Sequence, residues 1–152
     1  MENTVSWSIA DGNIHVWTSS QSWHADLNDI CVVGETTNED GPFADDHFIV
    51  LIDKHGNECT IGFEDGAAKL LSELSHELEF DSDTFLGLST SITSVVLFPA
   101  QLRGTSLYVE GSHERTSISD LFSVSWMLNP AVRDLIENEG RRDRSVRRDA
   151  LD

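Results

Sequence analysis

Histidine and aspartate residues that could bind a ligand or transfer a proton occur at two places in the chain. His24 is followed two residues later by Asp26, and Asp46 directly precedes His47. Imidazole and carboxylate groups together can act as general acids and bases or coordinate a metal ion. A site built from these four residues would suit an enzyme or a small-ligand sensor, provided that the fold brings the two pairs together.

The common sequence motifs of metal, nucleotide and nucleophile sites are absent. H-E-x-x-H does not occur, neither histidine pair has a third or fourth ligand close by, and residues 36–47 lack the first carboxylate and the final glutamate of an EF-hand loop. The motifs G-x-x-x-x-G-K-[ST], G-x-G-x-x-G and G-x-S-x-G are missing too. We therefore predict no metal, no cofactor and no catalytic residue, and the sequence favours a binding protein over an enzyme.

The two cysteines, Cys31 and Cys59, lie in strand-like stretches and lack the C-x-x-C spacing of a zinc or redox site. We interpret them as buried free thiols. Because their surroundings are acidic, we expect a raised thiol pKa and a weak nucleophile at both positions.

The charge of the chain is strongly negative and unevenly distributed. Ten Lys and Arg residues against 27 Asp and Glu residues give a formal charge of −17 over 152 residues. Residues 1–132 hold four cations and 21 acids, whereas residues 133–152 hold six of each. This charge disfavours nucleic acids and anionic membranes as partners, and it favours a cationic protein. With 39% apolar residues, the chain is nevertheless too hydrophobic for a disordered polyelectrolyte.

The acidic residues are densest between positions 35 and 46, where turn-forming residues interrupt them. This pattern predicts a solvated loop whose carboxylates contact the partner. Two tryptophans could anchor the same partner: Trp23, which is predicted to lie in a polar loop, and Trp17, which lies opposite the apolar face of its strand. The predicted partner-binding residues are Glu35, Glu39, Asp40, Asp45, Asp46 and Trp23.

Apolar periodicity and turn residues predict a sheet followed by helices. Strand-like alternation surrounds the Asp11-Gly12 turn, and further strands are predicted near 29–35, 48–52, 58–63, 95–98 and 107–109. From Gly66 the apolar period becomes 3.6, which predicts an amphipathic helix capped by Asp65. The order of elements predicts an α+β fold: a mainly antiparallel sheet of six or seven strands, a central amphipathic helix and C-terminal helical segments.

The C-terminal part of the chain combines helical and charged segments. A short helix is predicted in 84–89, while residues 117–128 fit a helix or a strand. Asn129-Pro130 is typical of a helix start, and Gly140 predicts its end. We expect residues 1–140 to form a single domain and residues 141–152 to form a charged, disordered tail.

The N-terminal residues lack the basic start and apolar core of a signal peptide, and the longest relevant apolar run, residues 48–52, is short for a bilayer span. We therefore expect a cytoplasmic protein without a membrane partner.

Residues 29–81 contain a series of short motifs. They are Asp29-Ile30, the run Val33-x-Glu35-Thr36-Thr37, the segment from Asp40 to Leu51, and the later Cys59-x-Ile61, Leu70-Leu71-x-x-Leu74 and Phe80-Asp81. This arrangement resembles a group of small, acidic bacterial proteins of uncharacterised function. The resemblance implies a compact domain in which a strand meander precedes a helix. Some members of this group look like immunity proteins of toxin systems, which is an analogy at the level of the fold.

These observations lead to two functional hypotheses. The first is a small, acidic, cytoplasmic binding protein, of immunity or inhibitor type, that captures a cationic protein through its acidic loop. The alternative is an enzyme or small-ligand sensor with a dispersed site of His24, Asp26, Asp46 and His47.

Overall fold

The computed structural model describes residues 5–18, 21–37, 47–63, 66–84, 93–110 and 126–151. These residues form nine strands and two α-helices. In chain order they are β1 (Ser6–Ala10), β2 (Asn13–Trp17), β3 (Ser22–Asp26), β4 (Ile30–Thr37), β5 (His47–Asp53), β6 (Glu58–Gly62), α1 (Ala67–Leu78), β7 (Thr93–Phe98), β8 (Tyr108–Glu110), β9 (Trp126–Leu128) and α2 (Pro130–Leu151).

The strands belong to three separate sheets, each with antiparallel pairing. The first is a meander in the order β1-β2-β3, the second has the order β6-β5-β4-β7, and the third is a ribbon of β8 and β9. The predicted α+β fold with one sheet of six or seven strands is therefore wrong. The described part of the chain is sheet-rich, and its strands are divided among three sheets.

The four-stranded sheet separates two hydrophobic cores. Ile49 and Leu51 point into a first core together with α1 and the β1-β2-β3 meander. Val50 and Ile52, the alternate residues of β5, point into a second core together with α2 and the β8-β9 ribbon. Because both faces are buried, β5 is a continuous apolar run rather than an alternating one. The strand predicted at 48–52 is confirmed.

The meander begins with the hairpin that the Asp11-Gly12 turn predicts. Both turn residues have positive φ, 53° at Asp11 and 77° at Gly12, as a type I′ turn requires. The stretch around Trp23 is a strand, β3, and the loop predicted there is wrong. The residues of β3 face the first core and solvent alternately. Because its outward residues are polar, the sequence alone predicts this strand only weakly.

The helix predicted from Gly66 is confirmed as α1, with Leu70, Leu71 and Leu74 buried in the first core. Its N-cap is Gly66, at φ 90°, and no side chain among the described residues caps it. The predicted cap, Asp65, is not among the residues that the structure describes.

The helix predicted at Asn129-Pro130 is confirmed as α2, and Asn129 Oδ1 accepts a hydrogen bond from Ala131 N at 3.1 Å. The predicted end at Gly140 is wrong, since the helix continues to Leu151. Glycine costs a helix interior only about 1 kcal/mol relative to alanine. At this position it also permits a close approach, because an added Cβ would lie 3.1 Å from Lys54 O.

Of the segment that fits a helix or a strand, Trp126–Leu128 is a strand, and residues 117–125 lie outside the described ranges. Most of the helix predicted in 84–89 also lies outside them. Neither described helix is long and apolar enough to cross a membrane.

Candidate functional site

The solvent-facing side of the β1-β2-β3 meander carries a group of polar and aromatic side chains. Alternation along β2 buries Ile14 and Val16 and turns His15 and Trp17 outward. Along β3, His24 faces outward in the same way. We call this surface the meander face. It consists of the outward residues of the three strands: Ser6, Ser8, Ala10, Asn13, His15, Trp17, Ser22, His24 and Asp26.

Three aromatic rings form a row across the meander face. The rings of Trp17 and His15 are stacked, with centroids 4.5 Å apart and planes 19° apart. His15 and His24 follow, with centroids 5.4 Å apart and planes tilted by 50°. Trp17 is 39% exposed, the largest exposure of any big hydrophobic side chain that the structure describes. A row of this kind offers ring faces to cations and ring nitrogens to hydrogen-bond partners or metal ions.

Trp23 lies on the opposite side of the meander from this row. Its side chain is half-buried and packs against the first core. Its Nε1 atom is buried and has no hydrogen-bond partner among the described residues. The expected loop tryptophan is therefore largely a core residue, whereas Trp17 has the exposure that an anchor for a partner needs.

Glu35 is fully buried, so the expectation that it belongs to a solvated loop is wrong. It lies on β4, and His47 Nε2 is 2.5 Å from its Oε2. The His47 ring is stacked on Phe63, with centroids 3.8 Å apart and planes 14° apart. Alternation along β4 turns Glu35 toward the first core, where the paired imidazole offsets part of the cost of burying a carboxylate.

The other acidic residues predicted to bind the partner are Glu39, Asp40, Asp45 and Asp46, and they lie outside the described residues. They belong to residues 38–46, the acidic segment, which connects the end of β4 to the start of β5.

The predicted site of two histidines and two aspartates is not assembled by the part of the chain that the structure describes. His24 and Asp26 lie on the meander face, whereas His47 lies on the core side of the central sheet. Asp46 is outside the described ranges. Asp26 Oδ1 accepts a hydrogen bond from Asn28 N at 2.8 Å and so caps a short 3₁₀ helix. No group of three or more metal-ligating side chains occurs among the described residues.

Trp7 lies on β1 and packs against the first core, where it approaches Gly66 so closely that an added Cβ at Gly66 would lie 3.4 Å from Trp7 Nε1. Gly66 N donates a hydrogen bond to Phe63 O, and the Phe63 ring is stacked on His47. His47 is the first residue of β5, directly after the acidic segment. Trp7 on β1 and His47 at the start of β5 are thus linked through Gly66 and Phe63.

Both cysteines are free thiols, as predicted, but only Cys31 is buried, whereas Cys59 is half-buried. Burial raises the pKa of Cys31 to about 12, and the nearby carboxylates of Glu139, Asp53 and Asp29 act in the same direction. Burial alone raises the pKa of Cys59 to about 11. Although Cys31 lines a cleft of about 220 Å³, its thiol is poorly suited to nucleophilic attack because the thiolate is rare at neutral pH.

We expect both thiols to react slowly with iodoacetamide at pH 8, and Cys59 to react faster than Cys31 because its pKa is lower. A raised pKa reduces the thiolate at any pH below it, so each rate should increase about ten-fold per pH unit up to pH 10. Mass spectrometry of each cysteine peptide measures the rates, and the guanidinium-unfolded chain is the control. Equal rates in the folded and unfolded chain would contradict the prediction.

Comparison of the chain with protein-family models, curated proteins and solved structures gives no match in any of the three. The resemblance of residues 29–81 to small acidic bacterial proteins therefore stays a prediction.

Proposed function

We propose that this chain is a cytoplasmic binding protein, of immunity or inhibitor type, that captures a cationic protein. The acidic segment attracts the partner, and Trp17 on the meander face anchors it. The observation that carries the proposal is an exposed tryptophan, in a stacked aromatic row, on a chain with a net charge of −17.

The charge supports the role of the acidic segment in attraction. The summed field of a protein with many like charges steers an oppositely charged partner and raises the association rate by about 10 to 10³. The negative charge belongs to residues 1–132, since the last twenty residues are balanced. A cationic partner is therefore drawn to residues 1–132 rather than to the last twenty residues.

The exposure of Trp17 supports its role as the anchor. Tryptophan is enriched among the residues that contribute most to protein–protein binding, and its ring also binds Lys and Arg side chains through cation–π contacts. Because His15 is stacked on one face of the indole, the ring is held in place before the partner arrives. A pre-ordered side chain loses less conformational entropy on binding.

The test is co-purification of the tagged chain with the products of its neighbouring genes, followed by rate measurements on the purified pair. We expect the association rate to fall at least about ten-fold between roughly 0.05 and 0.5 M salt, because exposed charges are screened over about 10 Å at 0.1 M. An association rate that is independent of salt would contradict steering by the acidic segment.

Two pairs of variants distinguish a local role of the acidic segment from an effect of total charge. Asp45→Asn with Asp46→Asn, and Glu73→Gln with Glu77→Gln on the exposed side of α1, each remove two negative charges. We expect the first pair to slow association clearly more than the second.

Trp17→Ala should instead raise the dissociation rate about 30-fold, the effect of losing about 2 kcal/mol. Equal effects of the two charge pairs, or no effect of Trp17→Ala, would contradict the proposed surface.

A further inference from the structure

His15 and His24 occupy directly opposed positions on β2 and β3. Leu27 N donates to Gly12 O at 2.9 Å, and Thr18 N donates to Gln21 O at 2.8 Å, so these two residue pairs are hydrogen-bonded pairs of the ladder. Hydrogen-bonded and non-hydrogen-bonded pairs alternate in an antiparallel ladder. Counting inward from both ends places the two histidines in a non-hydrogen-bonded pair, the kind in which opposed side chains are closest.

The separation of the two imidazole rings fits a shared metal ion. A histidine nitrogen lies 2.0–2.1 Å from zinc, which puts the ring centroid about 3.2 Å from the metal and two rings at a tetrahedral angle about 5 Å apart. The observed centroid separation of His15 and His24 is 5.4 Å. The two rings therefore have about the separation of two imidazoles that share one ion.

We propose that His15 and His24 form a two-histidine site for a divalent transition metal on the meander face. Imidazole ligands suit Zn²⁺, Ni²⁺ and Cu²⁺, and Cu²⁺ should bind most tightly of the three by the Irving–Williams order. Water, or a donor from a second molecule, completes the coordination. This site does not depend on the proposed function, because the chain alone should bind the metal.

The surroundings leave the two rings available to a metal ion. His24 is exposed and His15 is half-exposed. The stack with Trp17 uses the face of the His15 ring, whereas a metal binds a ring nitrogen in the plane of the ring. The negative charge of the chain raises the local concentration of cations around the site.

Trp17 provides a direct readout of this site. Ni²⁺ quenches indole fluorescence at short range, and the Trp17 ring is stacked on His15. We expect NiCl₂ to quench part of the fluorescence of the full chain in a saturable, one-equivalent titration, while MgCl₂, whose ion prefers oxygen ligands, does not. Trp17→Phe should remove this quenching, although isothermal titration calorimetry should still detect Ni²⁺ binding.

Single and double histidine variants test whether the two rings act together. His15→Gln and His24→Gln should each weaken Ni²⁺ binding at least about ten-fold, since even the loss of a group that only orients a ligand costs 10- to 100-fold. The double variant should lose clearly less than the sum of the two single losses, because one substitution already destroys the two-ligand site and leaves only the weak binding of a lone imidazole. His76→Gln, which removes an exposed histidine from α1, is the matched control and should change nothing.

NMR spectra of the wild-type chain give a second measurement that needs no variant. Substoichiometric Ni²⁺ should broaden the ring signals of His15 and His24 together, before those of His55 and His76. Three results would each overturn the proposal. The losses of Ni²⁺ affinity could be additive in the double variant, or His76→Gln could weaken Ni²⁺ binding as much as His15→Gln does. In the NMR spectra, the ring signals of all histidines could broaden alike. The absence of binding in the calorimeter would also overturn the proposal, without bearing on capture of a cationic protein.

Discussion

Replacing Glu35 by alanine is expected to lower the free energy of unfolding by about 3 to 5 kcal/mol. The carboxylate is fully buried and paired with His47, whose side chain is only 17% exposed. Removing the Glu35 carboxylate leaves the His47 imidazole without this partner in surroundings that solvate it poorly. The substitution also opens a cavity in the core. In a chain of this size the melting temperature should fall by about 10 °C.

Denaturant unfolding measures the loss, and three further variants show its origin. Glu35→Gln keeps the size and a hydrogen-bonding group, so it should lose less than Glu35→Ala. Glu35→Leu combined with His47→Leu removes both polar groups and should also lose less, because no polar group of the pair is left unpartnered. Glu73→Ala, on the exposed side of α1, is the control and should stay within about 0.5 kcal/mol of wild type. A Glu35→Ala chain as stable as the Glu73→Ala chain would contradict the buried pair.

The second large loss of stability is expected on truncation of Leu107, which is fully buried in the second core between the central sheet and the β8-β9 ribbon. Leu107→Ala should cost about 2 to 5 kcal/mol through lost burial and the cavity that remains. Gly34 on β4 makes room for this side chain. A Cβ at Gly34 would lie 2.6 Å from Leu107 Cδ2 and 3.3 Å from Val95 O, so Gly34→Ala should cost about 1 to 3 kcal/mol by overpacking.

A double variant tests whether these two costs have the same origin. In the Leu107→Ala background the added methyl group at Gly34 enters the cavity, so the double variant should lose clearly less than the sum of the single losses. The coupling should be about 1 kcal/mol or more, which denaturant unfolding resolves. Purely additive losses would show that Gly34 is not the residue that accommodates Leu107.

Local signals in the sequence are sufficient to predict several elements of the fold. The Asp11-Gly12 turn determines the first hairpin because few other residue pairs accept two positive φ values. The 3.6-residue period of leucines determines α1, and Asn129-Pro130 determines the start of α2. In each case the physical cause lies within a few residues, so a single sequence is enough to predict the element.

The division into three sheets could not be predicted in this way, because it depends on which distant strands pair. The central sheet places β7 beside β4, more than fifty residues away in sequence. The ribbon of β8 and β9 covers one face of that sheet, and the meander covers the other together with α1. Non-local pairing and packing of this kind leave no periodic signal within one segment.

The candidate site divides in the same way between sequence and tertiary structure. The alternation along β2 by itself determined that Trp17 and His15 point away from Ile14 and Val16, and the composition determined the negative charge. Only the tertiary structure decided that Glu35 is buried against His47 and that His24 lies opposite His15. The physical reason is that side-chain direction along one strand follows from its own period of two, whereas burial and cross-strand neighbours depend on packing and on the register with other strands.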